Sequence, residues 1–168
     1  MMRHLESEAA GLAGRRVVEL GAGTGLAGIG LALCGAHVAL TDLPEHLALL
    51  RINAQLNHAD SVLVAPLAWG DDLTAFRAAG GDAFCDGGTD LVLVSDCIYN
   101  LSYAPALLQA LRQLRGAAVL FAFSERNRDG EERFMDSVRQ YYAVRELPPQ
   151  PQQPPNMHLQ YWTPLPAS

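Results

Sequence analysis

The chain has 168 residues, of which 49% are hydrophobic and 18% charged, and this size and balance predict a single globular domain over residues 1–168. The formal net charge of −6 disfavours nucleic acid, because binding to a phosphate backbone depends on neutralisation by Lys and Arg. The sequence shows neither a long apolar run nor a signal-peptide pattern. We therefore expect a monomer of the cytoplasm or nucleus that binds no membrane and no nucleic acid.

The three cysteines are Cys34, Cys85 and Cys97, an odd number without CxxC spacing. This pattern argues against both a disulfide framework and a zinc site, so we expect reduced thiols and no bound metal. No histidine stands beside Cys97 in the sequence as a base, and a nucleophilic role for this thiol is therefore disfavoured.

Apolar, β-rich runs alternate with stretches of helical periodicity, a pattern that indicates βαβ units and a mostly parallel sheet. Strands are predicted at 16–20, 36–41, 61–65, 90–95 and 117–123. Helices are predicted at 25–34, 45–57, 104–115 and 130–141, with a short helix and a loop within 71–88. Because the strand runs are continuously apolar, we expect helices on both faces of the sheet.

The two ends of the chain depart from this alternation. Residues 1–15 form a short segment before the first strand. After the last helix we predict a strand at 143–147, a loop rich in Pro and Gln at 148–156, and a final strand at 157–165. Two strands joined by one loop form an antiparallel pair, so the sheet should end in such a pair.

The glycine-rich string ELGAGTGLAGIG begins at Glu19, at the end of the first predicted strand. A loop of this kind lets the backbone approach a nucleotide-like ligand at the carboxyl edge of an open α/β sheet. From Gly23, GTGLAG fits the dinucleotide fingerprint GxGxxG, with Asp42 nineteen residues on as a ribose-binding acid. From Glu19, the glycines at 21, 23 and 25 fit the GxGxG pattern of S-adenosylmethionine (SAM) enzymes.

The acidic residues around this loop favour the second template. Glu19 would face a pyrophosphate unfavourably, but it suits a ligand ammonium group or could orient the loop. Asp42 ends the second strand, where its carboxylate would accept both ribose hydroxyls; capping of the next helix is its alternative role.

Residues after the third and fourth strands lie at the same edge. Trp69 would cover an adenine face, and a buried core aromatic is the alternative. The fourth strand ends in SDCIYN, which brings Asp96 and Tyr99 to the reactive end of the predicted ligand. These two residues are the best candidates for chemistry. The alternative is that Asp96 caps the next helix and Tyr99 lies in the core.

At this point the chain resembles the seven-stranded SAM-dependent methyltransferases, and within them the protein-lysine methyltransferases of the methyltransferase-like 21 type (methyltransferase family 16). The resemblance covers nearly the whole chain from Leu12 onward. Most SAM enzymes share the glycine pattern, whereas LTDLPEHL joined to an Asp-x-x-Tyr motif is much more specific. The segments that carry it are ELGAGTGLAGI, VALTDLPEHLALLRINAQLN, LAWGDD, SDCIYN and FSERNRDGEERF.

The resemblance implies a Rossmann-like α/β fold and SAM as cofactor. It implies that Asp96 and Tyr99 shape the acceptor site for a lysine of a protein substrate. We expect acceptor recognition in residues 71–88, 126–133 and 148–156. Open alternatives are a nucleic-acid or small-molecule methyltransferase and a catalytically silent module, the last because few residues precede the first strand. The residues implied to bind the cofactor are Glu19, Gly21, Gly23, Gly25, Asp42, Trp69 and Ser95.

Overall fold

The computed structural model describes residues 1, 4–5, 11–59 and 61–166, in which seven strands form one sheet. The strands are β1 (Arg16–Leu20), β2 (His37–Asp42), β3 (Leu63–Pro66), β4 (Leu91–Ser95), β5 (Ala118–Ser124), β6 (Tyr142–Glu146) and β7 (Met157–Pro164). The α-helices whose whole length lies within the described residues are α1 (Leu26–Leu33), α2 (Leu47–Leu56), α3 (Thr74–Ala78), α4 (Ala104–Gln113) and α5 (Arg128–Val138). Short 3-10 turns lie at Pro44–His46, Gly81–Phe84 and Leu101–Tyr103.

The strands follow the order β3-β2-β1-β4-β5-β7-β6. Strands β1 to β5 pair in parallel, and β7 is antiparallel to both β5 and β6. The predicted α/β fold, with a mostly parallel sheet and a C-terminal antiparallel pair, is confirmed. The structure adds that β7 enters between β5 and β6, which leaves β6 at the edge.

Alternate residues of the strands pack on opposite sides of the sheet, as continuous apolar runs require. Val18 of β1 joins a core with residues of α3, α4 and α5, whereas its neighbour Val17 joins a core with residues of α1 and α2. The prediction of helices on both faces is therefore confirmed. None of the helices in the described part of the chain has the length and apolar character needed to cross a membrane.

Two predicted helices differ at their starts. The segment predicted as one helix at 45–57 begins as a 3-10 turn, in which His46 N–H donates to Leu43 O at 3.0 Å, before α2 continues from Leu47. The last predicted helix begins two residues earlier than expected, because Asn127 caps it by accepting a bond from Gly130 N–H at 3.1 Å. Side-chain capping of this kind sets a helix start independently of apolar periodicity.

The strand order reverses between β1 and β4, since β1 leads to β2 on one side and the chain later returns to place β4 on the other. At such a switch point the loops after the two strands diverge to opposite faces and leave a crevice at the carboxyl edge. The glycine loop follows β1 and the SDCIYN segment follows β4. The topology thus brings the two motifs to one crevice.

The aromatic core beneath β7 is built around Trp162, which is fully buried. Its ring stacks on Phe121 of β5 with centroids 4.5 Å apart, and its indole N–H donates to Gln160 at 3.0 Å. Tyr142 of β6 lies 5.9 Å away between ring centroids. Trp162 therefore joins β5, β6 and β7 through one packed side chain.

We expect Trp162→Ala to lower the free energy of unfolding by about 3–5 kcal/mol, because it removes a large buried ring and leaves a cavity. Leu56→Ala is the control, since Leu56 is 73% exposed at the end of α2 and its loss should cost less than about 0.5 kcal/mol. Urea denaturation of the three proteins measures both changes. Equal losses would contradict the packing role of Trp162.

Candidate active site

A cavity of about 540 Å³ lies at the carboxyl edge of the parallel strands, within the size range of small-molecule sites. It contains most of the residues predicted from the sequence. Those that line it are Gly21, Gly23, Asp42, Trp69, Ser95, Asp96 and Tyr99. Glu19 and Gly25 do not line it, so their predicted contact with a ligand stays a prediction.

Gly23 and Asp42 are held together on the cavity wall. The carboxylate of Asp42 accepts a bond from Gly23 N–H at 2.8 Å and another from Leu43 N–H at 2.7 Å. Gly23 has a φ of +56°, and a Cβ built on it would meet no atom within 4 Å. A side chain at this position would therefore project into open space, which fits a loop whose backbone must approach a ligand.

Trp69 reaches the cavity by packing closely on the glycine loop. A Cβ on Gly21 would lie 2.8 Å from the Trp69 ring and 3.0 Å from the sulfur of Cys97. The absence of a side chain at position 21 thus admits the ring to the cavity wall. Burial raises the pKa of the Cys97 thiol to about 12, which keeps the thiol protonated and agrees with its predicted lack of a nucleophilic role.

Glu19 lies behind the loop, where its carboxylate accepts a bond from the N–H of Gly28 in α1 at 2.8 Å. Only 3% of Glu19 is exposed. Burial raises the pKa of Glu19 from 4.5 to about 7; the Gly28 bond opposes this shift, and the charge of Asp42 adds to it. Of the two roles considered for Glu19, this geometry supports orientation of the loop.

Gly25 also acts within the fold. It precedes the first residue of α1 with a φ of +80°, a conformation that side chains rarely adopt. A Cβ there would lie 3.0 Å from both Ile29 and Leu50, so the bare backbone lets α1 and α2 pack against each other.

Asp96 directly follows β4 with a φ of +56°, in the left-handed region, where Asp is among the better tolerated residues. Its N–H extends the sheet by donating to Ala122 O at 2.7 Å. Its two carboxylate oxygens accept hydrogen bonds from the two terminal nitrogens of Arg126, at 2.7 and 2.8 Å. These bonds lower the pKa of Asp96, so it is a carboxylate at neutral pH.

Two exposed tyrosines stand beside Asp96. Tyr99 is 68% exposed and Tyr103 is 53% exposed, yet both line the cavity. Large aromatic rings left open to solvent at a cavity are typical of a binding surface rather than of a core. The arrangement could hold a long apolar side chain whose polar end meets Asp96.

Sequence reasoning missed part of this wall. The spacing of Tyr99 and Tyr103 in YNLSY was an available signal for the second tyrosine, whereas the other seven stand inside the segments that carry the family resemblance but were not assigned to the site. Among the described residues no cluster of three or more His, Cys, Asp or Glu side chains is suited to a metal ion. The missed lining residues are Thr24, Leu43, His46, Leu49, Leu67, Ala68, Cys97 and Tyr103.

The strand order and the position of the glycine loop define a Rossmann-like methyltransferase fold. A SAM-dependent methyltransferase from Aquifex aeolicus has this fold, with a TM-score of 0.72 at 14% identity over 97% of this chain and 89% of that chain. The sequence model of the lysine methyltransferase family matches residues 1–141. The chain belongs to this family.

Characterised relatives carry corresponding names. Protein N-lysine methyltransferase METTL21A of Danio rerio is 39% identical over 148 residues, which cover 85% of this chain and 64% of the relative. EEF1A lysine methyltransferase 3 of Xenopus tropicalis is 32% identical, with 86% of this chain and 62% of the relative covered. The chain thus spans less than two thirds of the length of these relatives.

The raised pKa of Glu19 predicts a pH-dependent stability. Because folding favours the protonated carboxyl, this stability is fully present below about pH 4.5 and is lost as the pH rises through about 7. We expect the unfolding free energy of the protein, relative to Glu19→Gln, to fall by about 3 kcal/mol across this interval. Denaturant titrations at several pH values measure it.

Glu132→Gln is the control for this measurement, because Glu132 is an exposed acid of α5. It should leave the pH dependence of the unfolding free energy unchanged. A difference between the protein and Glu19→Gln that stays constant over the whole interval would contradict the assignment to Glu19.

Proposed function

We propose that the protein is a SAM-dependent methyltransferase that modifies a lysine side chain of a protein substrate. The observation that carries the proposal is the placement of Asp96, Tyr99 and Tyr103 on the same cavity as the glycine loop and Asp42. The proposed donor and acceptor sites would therefore share one crevice, in a chain of the lysine methyltransferase family.

The residues on the cavity wall fit the cofactor. Gly21 and Gly23 would let the backbone contact the methionine part, and Asp42, already oriented by two N–H groups, keeps oxygen lone pairs free for the ribose hydroxyls. Trp69 would cover the adenine, and Ser95, which lines the same cavity, would also contact the cofactor. When bound, SAM supplies an electrophilic methyl group on a sulfonium sulfur.

The acceptor must reach this methyl group as a neutral amine. A free lysine has a pKa near 10.4, so removal of its proton costs roughly 4–5 kcal/mol at pH 7. Tyr99 and Tyr103 would pack along the lysine stem, and Asp96 would accept an N–H bond that directs the lone pair at the methyl group. Positioning of the two reactants would supply most of the rate.

We further propose a cytoplasmic or nuclear location. This proposal is supported by the three cysteines, which are all free. A fluorescent fusion seen only in a secretory compartment would contradict it.

The first prediction concerns cofactor binding. Gly23→Ala should lower the affinity for S-adenosylhomocysteine at least about tenfold, because the added methyl group enters the cavity. The matched control is Gly116→Ala: position 116 also has a positive φ, of +81°, and open space around its Cβ, but it does not line the cavity. Isothermal titration measures both affinities.

Both substitutions should cost a similar roughly 1–2 kcal/mol of stability, because a Cβ is strained at positive φ. The comparison of affinities therefore separates the ligand site from the backbone effect. Equal affinities in the two variants would remove Gly23 from the site.

The second prediction concerns methyl transfer. Asp96→Ala should lower transfer of labelled methyl groups about 100-fold or more, because the acceptor amine loses its partner, while binding of S-adenosylhomocysteine persists. The acceptors in this assay are the proteins of a cell extract and purified EEF1A, which a relative's name suggests. Mass spectrometry of the labelled bands identifies the methylated residue.

Asp136→Ala is the control, since Asp136 is also an acid paired with an arginine, Arg139 at 2.9 Å, but on α5 and outside the cavity. It should transfer methyl groups normally. Unchanged transfer by Asp96→Ala would remove Asp96 from the mechanism. Binding of S-adenosylhomocysteine without transfer to any protein would favour the silent module.

A further inference from the structure

Arg126 pairs with Asp96 at the proposed acceptor end of the cavity. Its two terminal nitrogens donate to the two oxygens of Asp96 at 2.7 and 2.8 Å, in the paired geometry that suits a guanidinium and a carboxylate. Asp96 lines the cavity and Arg126 does not. The Asp96 side chain is 49% exposed, so part of its carboxylate stays open to an acceptor.

The backbone that carries Arg126 is held by a buried acid. Glu131 is 5% exposed, and one of its oxygens accepts bonds from Arg126 N–H at 2.8 Å and Asn127 N–H at 3.0 Å. The guanidinium also donates to Ser124 O at 3.3 Å. These contacts hold the segment between β5 and α5, which carries Arg126. The backbone of Asp96 is held by its own bond to Ala122, so both partners of the ion pair have a fixed backbone.

The pair changes what Asp96 offers to an acceptor. A lone carboxylate attracts an ammonium ion and favours its protonated form, which opposes methyl transfer because the ammonium nitrogen has no free lone pair. A carboxylate and a guanidinium together carry no net charge, and the nearby positive charge disfavours a second cation. The oxygens still accept hydrogen bonds from a neutral amine.

We propose that Arg126 is a positioning residue of the acceptor site, which orients Asp96 and cancels its charge so that a lysine is received as the neutral amine. This inference rests on the proposed function. The lysine releases its proton to solvent, and the ion pair favours binding of the neutral amine that remains.

Other ionisable groups also face the cavity. Facing it are Asp42 and His46 from β2 and the turn that follows, and Cys97, Tyr99 and Tyr103 from the segment after β4. Glu19 lies behind the glycine loop and Glu131 behind Arg126. The Asp42 carboxylate is engaged by Gly23 and Leu43 in the glycine-loop half of the cavity, where the cofactor is proposed to bind. Arg126 is thus the cation in direct contact with Asp96.

The test uses n-butylamine, whose four-carbon chain matches a lysine side chain, and it does not require a known substrate. Protein NMR titrations, with S-adenosylhomocysteine present at saturation, give the dissociation constant of butylamine at several pH values from about 7 to about 10. The change of this constant with pH gives the pKa of the bound amine. In the unaltered protein we expect this pKa to lie below that of free butylamine. In Arg126→Gln it should lie at least about one unit higher than in the unaltered protein.

Two variants separate charge from general damage. Arg126→Lys keeps the positive charge without the paired geometry, so its bound amine should titrate close to that in the unaltered protein. Arg128→Gln is the matched control on the same segment, because Arg128 is 79% exposed and pairs with Glu125 at 3.1 Å instead of Asp96. It should not change the titration. Equal pKa values in the protein and Arg126→Gln, or no binding of butylamine to a protein that binds S-adenosylhomocysteine, would overturn the proposal.

The pH dependence of methyl transfer gives a second readout. At pH 7 Arg126→Gln should lower both kcat and KM, because the acceptor binds more readily as ammonium but reacts more slowly, and the loss of kcat should shrink at higher pH. If the unaltered protein transfers methyl groups and Arg126→Gln shows the same pH profile, this inference is overturned and the proposed function is not. Failure of the unaltered protein to bind S-adenosylhomocysteine would instead contradict the proposed function.

Discussion

The buried hydrogen bond between Glu19 and Gly28 is the constraint on which the site depends. The Glu19 carboxylate, at the end of β1, accepts a hydrogen bond from the N–H of Gly28, the third residue of α1. Glu19 is buried, so this bond is made out of contact with solvent. The contact requires that position 28 carry no side chain, because a Cβ there would lie 2.4 Å from Leu40 and 2.6 Å from a Glu19 oxygen. Strand, loop and helix are thereby locked at one separation.

The position of the loop then determines the donor half of the cavity. With the loop held, Gly23 N–H meets Asp42 at the end of β2, and Gly21 leaves room for Trp69 after β3. The acceptor half depends instead on the segments after β4 and β5, through the paired hydrogen bonds between Asp96 and Arg126. The reversal of strand order between β1 and β4 is what brings the two halves into one crevice.

Much of this arrangement follows from local sequence. Continuous apolar strands, the glycine spacing and the acids at strand ends predicted the parallel sheet, the glycine loop at its carboxyl edge and about half of the cavity wall. What local patterns could not reveal are contacts between distant residues. Arg126 meets Asp96 across 30 positions of the chain, and no periodicity encodes that meeting. Glu19 was read from its place before the glycines, but whether it faces the ligand or the helix depends on how closely α1 packs on β1.

The most direct measurement of the central claim, that this crevice is a SAM site, is isothermal titration of the purified protein with S-adenosylhomocysteine and, in parallel, with NADH. The account predicts micromolar binding of S-adenosylhomocysteine and none of NADH, because the chain belongs to the lysine methyltransferase family and its strand order is that of the methyltransferase fold. Binding of NADH without S-adenosylhomocysteine would contradict it and return the glycine loop to the dinucleotide template.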